Sequence, residues 1–401
     1  MRKVLSSKTS NLIRYKSLPW LQRKISELSR YAYTNIGESI NGKFAPKVLM
    51  LVPIESIDFY VQGRYEYALN IKMHNIYYQF LAILKQFVDR GFVVDCIEKD
   101  KISTEFDTAK YSIILDEGDS LAYLPKLENQ KKIFYCTGTK WNSWNEGELR
   151  RVNWFYDSYG LRVKPVRQVK PNFSDEAADF ILYKGVPEQM SEFSKNAELV
   201  QLAMPIEYEP SEIYRDYSVR DFIWIGGWGA VHKGLDIVID AFEKMPEFNL
   251  HLFGSIEKES TVYSWMETKL KANKNIQYHG YADYKSSAFK KIISTCVGHV
   301  YPSAGENGCA TLAQTAHYGL IPITTKEANN QANFLGFTIE GDTREELVES
   351  VVENVKTVIS KPDRVIRESS DEIMNFAKQV FTRDAFLTSF NLFLTENKLI
   401  N

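Results

Sequence analysis

The sequence contains few cysteines, no long apolar run and almost no net charge. Its 401 residues include four cysteines, and no two of them form a C-x-x-C pair, so we expect reduced thiols in a cytoplasmic protein. No apolar stretch approaches the roughly 20 residues that cross a bilayer, and no apolar segment follows the basic start as in a signal peptide. The net charge of −2 argues against a nucleic-acid-binding protein.

The first 45 residues differ from the rest in charge. Ten Lys or Arg but only two acidic residues occur between Met1 and Lys47. Apolar residues between Leu12 and Leu28 are interspersed with these charges, which is typical of an amphipathic segment on an anionic membrane surface. Such a segment would place the protein at the inner face of the cell membrane. A helix packed on the protein's own flank and a disordered basic tail are the alternatives.

The remainder of the chain alternates strands with helices, as parallel α/β sheets do. One series begins with the apolar run at 47–54, and a second begins with DFIWIGG at 221–227. A polar, proline-flanked stretch near 205–210 separates them and is typical of a linker. We therefore predict two doubly wound α/β domains. The predicted division is a basic segment 1–45, an N-terminal domain 46–208, a C-terminal domain 209–375 and a C-terminal helix 376–401 packing back on the N-terminal domain.

A glycine-rich turn follows the first strand of the second series. The strand ends at Gly226-Gly227, and a helix begins near Lys233-Gly234. Ligands of α/β proteins bind at the carboxyl ends of parallel strands. A helix N-terminus with glycines and a lysine suits a phosphate group. Glycine after a strand is also common in turns that bind nothing.

A second candidate loop follows a later strand of the same domain. The strand ends at Pro302-Ser303, a loop of small residues carries Glu306, and a helix starts near Cys309. Small residues around an acid leave room for a ligand to approach the backbone amides. A lone acid in a loop is usually only solvated, but here a phosphate-type loop precedes it in the same domain.

These two segments, HKGLDIVIDAF and YPSAGENGCATLAQTAHYGLIPITT, together resemble the donor-binding domain of GT-B glycosyltransferases. The likeness is greatest to family 4, in which K-G follows a glycine turn and P-S-x-x-E is followed two helical turns later by a second Glu. It extends over roughly residues 220–330. The resemblance implies two Rossmann-like domains facing each other across a cleft. It also implies transfer of a sugar from a nucleotide-diphosphate donor with retention of configuration, without metal or cofactor.

The resemblance assigns roles residue by residue. Lys233 matches the lysine on the donor diphosphate, and Glu306 matches the acid that meets hydroxyls of the donor sugar, so these two are the catalytic candidates. The full set of donor-binding candidates is Gly226, Gly227, His232, Lys233, Gly254, Ser303, Glu306, Asn307, Gly308, Cys309, Ala310 and Gln314.

Two positions depart from the family pattern. Gln314 replaces the second Glu and carries no charge. Trp228 stands beside Gly227, where the family usually has an arginine. Either a basic residue elsewhere takes over the arginine's role, or leaving-group stabilisation is weakened.

The acceptor is expected on the N-terminal domain across the cleft. The segment TGTKWNSWNEGELRR follows a strand and opens a helix, which makes Thr139, Lys140, Trp141 and Asn145 acceptor-binding candidates. A solvated helix start with packed tryptophans is the alternative. No D-x-D motif occurs, so no metal-bound diphosphate is indicated. In LDEGD, Asp116 and Asp119 are expected to cap or line the cleft.

Three functions are compatible with these patterns. The leading one is a hexosyltransferase that uses a UDP- or GDP-sugar and a glycan or lipid-linked acceptor in surface polysaccharide synthesis. The second is a nucleotide-sugar epimerase on the same fold. The third is a non-catalytic nucleotide-sugar-binding protein, for which Gln314 and the missing arginine argue. His74 is a candidate for an N-domain histidine near the donor sugar, with a helix-surface position as the alternative.

Overall fold

The computed structural model describes residues 31–70, 75–103, 106–208, 210 and 213–400. The basic residues 1–30 and His74 lie outside this part of the chain. The described residues form two domains, each with its own central sheet and apolar core. No helix among them is long and apolar enough to cross a membrane.

The N-terminal domain is built on a seven-stranded sheet of described residues. Its strands are β1 (Ala32–Ile36), β2 (Lys47–Leu51), β3 (Val93–Ile97), β4 (Ile113–Asp116), β5 (Lys131–Tyr135), β6 (Phe180–Tyr183) and β7 (Glu198–Gln201). Its helices are α1 (Glu38–Asn41), α2 (Ile57–Val61), α3 (Tyr65–Asn70), α4 (Asn75–Asp89), α5 (Trp141–Tyr159) and α6 (Ser174–Ala177). The strand order is β1-β3-β2-β4-β5-β6-β7, parallel except for β1. Both β4 and β6 are buried along their whole length, so β6 is an unbroken apolar run and β4 is apolar up to its last residue, Asp116.

The C-terminal domain has a six-stranded, fully parallel sheet. Its strands are β8 (Asp221–Ile225), β9 (Leu250–Phe253), β10 (Ile276–Tyr278), β11 (Cys296–Tyr301), β12 (Ile321–Thr324) and β13 (Phe337–Thr338). Its helices are α7 (Leu235–Glu243), α8 (Ser260–Ala272), α9 (Ser287–Ile293), α10 (Ala310–Ala316), α11 (Arg344–Ser360) and α12 (Asp363–Val380). The order β10-β9-β8-β11-β12-β13 reverses direction between β8 and β11. This doubly wound arrangement agrees with the predicted fold class and creates a crevice at that reversal.

The chain returns to the N-terminal domain at its end. Helix α12 buries Ile366, Ile373 and Ala377 in the C-terminal core. Helix α13 (Arg383–Glu396) instead buries Phe386 and Phe390 in the N-terminal core. The predicted division at residue 376 therefore falls inside α12, whose buried face continues past it. The change of core comes just before α13, whose first turn is capped by the Thr382 side chain.

The other end of the predicted N-terminal domain also differs from the structure. Strand β1 lies within the segment 1–45 that was set apart by charge, yet it pairs antiparallel with β3. Its burial is mixed because it is an edge strand, so it lacks the apolar run that marks a central strand. The sheet thus begins before residue 46.

Candidate active site

The two candidate loops of the C-terminal domain lie side by side at the point where the strand order reverses. Strands β8 and β11 are parallel neighbours, so the turn after β8 and the loop after β11 leave the sheet at the same edge. Gly234 allows close contact between them: its φ is +74°, and a β-carbon there would stand 2.5 Å from the carbonyl oxygen of Pro302. The amide of Ala304 donates to the carbonyl of His232 at 2.9 Å. The fold therefore brings the two sequence motifs together.

Lys233 and Glu306 form an ion pair at this junction. Nζ of Lys233 lies 3.3 Å from Oε1 of Glu306, and the two side chains are 14% and 15% exposed. The hydroxyl of Tyr301 donates to the same carboxylate oxygen at 2.9 Å. The indole of Trp224 donates to the Lys233 carbonyl at 3.0 Å and fixes the backbone there. Both charged groups are thus held in place while remaining open to a small ligand.

The surrounding charges keep Glu306 ionised. Burial by itself would raise the pKa of this carboxyl, but the positive charges of Lys233 and Arg167 lower it below its usual value. Because an opposite charge nearby favours the charged form, Glu306 is an anion at neutral pH.

Two amides of the glycine turn are already engaged. The backbone N–H groups of Gly229 and Ala230 donate to the carboxylate of Glu259 at 2.8 and 3.0 Å. The turn therefore binds an anion, as its glycines suggest, but the anion is a side chain of the same domain. The sequence pattern did not identify Glu259, which lies beyond β9 and has no motif around it.

The loop after β11 contacts the N-terminal domain more than the crevice. Asn307 is buried, and its Oδ1 accepts from the amides of Lys184 and Gly185 at 2.8 and 2.9 Å. Its Nδ2 donates to the carbonyl of Gly138 at 3.1 Å. The amide of Gly308 is taken by the carbonyl of Asn329. Asn307 therefore joins the two domains, whereas the Gly308 amide is bound within its own domain.

Four more donor-binding candidates are engaged within the protein. Gln314 is buried and pairs twice with the backbone of Tyr208, as acceptor at 3.1 Å and as donor at 2.6 Å. The thiol of Cys309 is buried in the C-terminal core, and Ala310 packs against that core as the first residue of α10. The carbonyl of Ser303 accepts from Thr325 Oγ1 at 2.6 Å.

The remaining glycines shape the turn. Gly226 donates its amide to the carbonyl of Phe253, and Gly227 has open space around its α-carbon. Gly254 has a φ of +150° and approaches the carbonyl of Gly226 too closely for a side chain. They support the turn, and the open space at Gly227 adjoins the crevice.

His232 links the domains instead of facing open space. Its Nδ1 lies 2.9 Å from Oε2 of Glu148 in α5, although the angle is not that of a hydrogen bond. Its Nε2 lies 3.0 Å from the carbonyl of Gly305. The ring of Trp144 covers it at 5.0 Å between centroids. The imidazole is thus enclosed by groups of both domains.

Arg167 is a site residue that the sequence did not reveal. It lies in the segment between α5 and α6, and its side chain crosses onto the glycine turn: a β-carbon on Gly229 would stand 2.3 Å from its Cγ. Trp228 of that turn donates its indole N–H to the carbonyl of Val166 at 3.3 Å. Nothing in the sequence pattern connects residue 167 with a turn in the other domain.

A large cavity occupies the N-terminal side of the cleft. It encloses about 830 Å³ and is lined entirely by residues between Lys99 and Phe193. Of the acceptor-binding candidates, Thr139, Lys140 and Trp141 line it. Asn145 does not, because its side chain pairs in both directions with the backbone of Val169. The aromatic residues around the cavity are Tyr123, Phe134, Trp141, Trp144, Phe173 and Phe193.

Half of the charged residues around this cavity form ion pairs. Lys99 forms an ion pair with Glu117, and Lys140 forms one with the buried Asp175. Asp119 lines the cavity, and Asp116 accepts from the amides of Gly118 and Leu121, which caps the turn after β4. Burial raises the pKa of Asp116 to about 7. The two aspartates thus have the capping and lining roles that were predicted.

No cluster of three or more His, Cys, Asp or Glu within the described part of the chain is arranged to hold a metal ion. The cationic groups of the crevice are side chains, with Lys233 beside Glu306 and Arg167 on the glycine turn.

No protein-family model matches the chain. No curated protein matches it at a significant level.

Comparison with solved structures identifies the fold. The chain resembles sucrose-phosphate synthase from Thermosynechococcus elongatus over 88% of its own length and 99% of that protein, with a TM-score of 0.56 and 10% identity. It resembles Anabaena Alr3699/HepE in complex with UDP and glucose over 88% of its length and 100% of that protein, with a TM-score of 0.51 and 11% identity.

Two longer proteins match only in part. The chain spans 56% of the pneumococcal O-GlcNAc transferase GtfA, with a TM-score of 0.46, 13% identity and 71% of its own length matched. It spans 54% of S. aureus TarM, with a TM-score of 0.45, 11% identity and 69% of its length matched. At such identities the shared feature is the fold. The chain has the GT-B architecture, with two Rossmann-like domains facing each other across a cleft.

Proposed function

We propose that the protein is a glycosyltransferase that moves a sugar from a nucleotide-diphosphate donor to an acceptor held on the N-terminal domain. The observation that carries this proposal is the ion pair of Lys233 and Glu306, 3.3 Å apart at the reversal point of the C-terminal sheet. Ligands of doubly wound sheets bind in that crevice. HepE, which shares the fold, was solved with UDP and glucose, and this supports a donor of the same class.

The chemistry requires charge stabilisation more than proton transfer. Breaking the anomeric C–O bond leaves negative charge on the nucleoside diphosphate. Lys233 supplies a positive charge at that point without a change in its own protonation state. Glu306, which is kept ionised by its neighbours, accepts hydrogen bonds from hydroxyls of the donor sugar.

The finer features of the reaction belong to the proposal as well. We expect retention of anomeric configuration by attack from the leaving-group side, with the leaving phosphate assisting deprotonation of the acceptor. We expect the reaction to need no metal, because side-chain cations take the place that a metal would otherwise hold. A rate that falls in EDTA and returns with Mg²⁺ or Mn²⁺ would contradict this.

The acceptor side fits a carbohydrate or a lipid-linked glycan. The cavity of about 830 Å³ has six aromatic residues and several charged side chains along its walls. Pockets of this size with apolar walls and a few polar groups bind small molecules or parts of larger ones. A role in surface polysaccharide synthesis at the membrane is consistent with such an acceptor.

The test is incubation with UDP-, GDP- and TDP-sugars, followed by measurement of free sugar and nucleotide. A glycosyltransferase slowly hydrolyses its own donor and leaves the other donors intact. An epimerase changes the configuration of the sugar and returns it still joined to the nucleoside diphosphate. A non-catalytic protein binds one nucleotide in calorimetry and releases no sugar.

The basic N-terminal residues are proposed to contact an anionic membrane. Because residue 31 already contacts β3 through its carbonyl, the informative deletion ends at residue 30. We expect the shortened chain to keep donor hydrolysis and to lose binding to vesicles that contain phosphatidylglycerol. Unchanged vesicle binding would contradict the membrane role.

A further inference from the structure

The leaving diphosphate needs more positive charge than the C-terminal domain alone supplies. A nucleoside diphosphate leaves with two or more negative charges, and Lys233, the cation that the C-terminal domain itself places at the reversal point, is already paired with Glu306. The glycine turn offers no free replacement, because the amides of Gly229 and Ala230 are bound to Glu259. Charge balance therefore points to a second cation.

Arg167 has the placement that such a cation requires. Its aliphatic stem lies on Gly229, at the turn that leads to Lys233. Its guanidinium lies over the ring of Trp144, with the carbon Cζ 5.0 Å from the ring centroid. Within the described residues Arg167 makes no ion pair, and its buried Nε has no hydrogen-bond partner. Its charge faces the Glu306 carboxylate without forming a direct ion pair, so this guanidinium is poised to bind an anion beside that carboxylate.

The position of Arg167 is fixed from both domains. On its own domain, its backbone N–H donates to Oε1 of Glu148 at 3.0 Å. On the other domain, the indole N–H of Trp228 donates to the carbonyl of the preceding residue, Val166. Gly229 has a φ of +85° and no side chain, which leaves room for the arginine stem. Trp228 thus fixes the backbone at Val166, and this positions the side chain of Arg167 on the glycine turn.

We propose that Arg167, delivered across the cleft by the N-terminal domain, is the second cation on the donor diphosphate. This rests on the proposed function, since it assumes a diphosphate donor at Lys233. Arg167 also lines the N-terminal cavity, so one side chain borders both the donor crevice and the acceptor cavity. Leaving-group stabilisation then requires the two domains to be closed on each other.

The test compares Arg167→Gln and Arg167→Lys with Arg162→Gln. Arg162 lies in the same segment but is exposed and stacks on Tyr156, so it is the matched control. We expect Arg167→Gln to lower kcat for donor hydrolysis on the order of a hundredfold, the scale for losing one electrostatic stabiliser. Arg167→Lys keeps the positive charge but loses the paired N–H donors of the guanidinium, so it should retain part of the rate. Arg162→Gln should behave as wild type.

Calorimetry with UDP and GDP gives an independent readout. Arg167→Gln should weaken binding of the preferred diphosphate on the order of tenfold while leaving the corresponding nucleoside unaffected. Thermal unfolding of each variant checks folding. A further variant, Trp228→Phe, tests whether Trp228 positions Arg167, because it leaves the arginine itself unchanged. Trp228→Phe removes the indole N–H and part of the ring at a position that is 46% exposed, so it should lower kcat several-fold with little change in unfolding temperature.

The outcomes separate the two proposals. If wild type binds and hydrolyses a donor and Arg167→Gln matches Arg162→Gln, the role of Arg167 is refuted and the proposed function stands. If wild type binds neither UDP nor GDP and hydrolyses no donor, the proposed function fails and the role of Arg167 fails with it. If Arg167→Gln unfolds, Arg167→Lys and Trp228→Phe decide: wild-type rates in both would refute the assignment.

Discussion

The two sides of the cleft use their polar groups in different ways. On the C-terminal side, a compact set of charges around Lys233 and Glu306 lies at the ends of two adjacent strands. On the N-terminal side, a cavity of about 830 Å³ is bordered by aromatic residues and by charged residues of which half form ion pairs. The C-terminal side therefore offers reactive charge in one place, and the N-terminal side offers a broad surface.

This difference separates chemistry from recognition. A departing diphosphate needs preorganised positive charge within a small volume. An acceptor glycan needs area, shape and a few polar contacts. Arg167 belongs to the N-terminal domain, but its side chain lies on the glycine turn of the C-terminal domain. It is therefore the residue at which the two roles meet.

The largest expected effect comes from removing the charges of the C-terminal side. Lys233→Ala and Glu306→Gln should each lower donor hydrolysis on the order of a hundredfold or more, because each removes one electrostatic contact with the transition state. Steady-state kinetics with the preferred donor measures this. Lys244→Ala is the matched control, since Lys244 is half-exposed in the same domain and pairs only with the exposed Glu349.

If Lys233→Ala and Glu306→Gln both hydrolyse the donor at the rate of Lys244→Ala, the catalytic assignment on this side of the cleft is wrong. A loss confined to KM would instead show that the pair binds ground state and transition state equally.

The next largest effect is expected on stability, at Asn307, which joins the two domains. Asn307→Ala leaves the buried amides of Lys184 and Gly185 without their acceptor, which should cost about 2 kcal/mol of unfolding free energy. Chemical denaturation measures the loss. Asn354→Ala is the control, because its side chain makes one exposed hydrogen bond to the carbonyl of Thr338. Equal stability of the two variants would mean that Asn307 is not a fixed bridge between the domains.

Much of the fold was predictable because its signals are local. The apolar runs of β2, β8 and β11 and the glycine after β8 were recognisable one segment at a time. Strand β1 was missed because an edge strand with mixed burial carries no such run. The division at 376 was misplaced because the buried face of α12 continues past it and the change of core depends on where α13 docks.

The site was only partly predictable for a related reason. Lys233 and Glu306 follow strand ends, and the doubly wound topology itself places them together. The partners that complete the site come from distant segments: Arg167 from the N-terminal domain, and Glu259 from beyond β9. The binding groups of Asn307 and Gln314 are taken by backbone atoms elsewhere, which no spacing along the chain reveals.

A smaller effect is expected on the N-terminal side. Trp141→Ala removes an aromatic wall of the cavity, where the ring meets Phe173 edge-on at 5.9 Å. We expect the KM for the acceptor to rise about tenfold, equivalent to about 1.4 kcal/mol, while donor hydrolysis without acceptor stays unchanged. Comparing the two assays on one variant supplies the control. A parallel fall in donor hydrolysis would place Trp141 in the reaction chemistry and remove the proposed separation of roles.

The smallest effect is a pH dependence of stability at Lys184, where the two sides meet. Lys184 is buried, and its Nζ donates to the carbonyl of Cys136 at 2.9 Å. Burial lowers its pKa to about 8, well below the ordinary value of a lysine. Between this pKa and the unfolded value of about 10.4, the unfolded chain binds more protons than the folded one, so stability rises with pH in that window. Relative to Lys184→Met, the unfolding free energy of wild type should increase by about 1 kcal/mol from pH 9 to pH 10, measured by chemical denaturation at each pH. Parallel curves for the two proteins would mean that Lys184 keeps its charge in the folded state, and that the closed junction admits water.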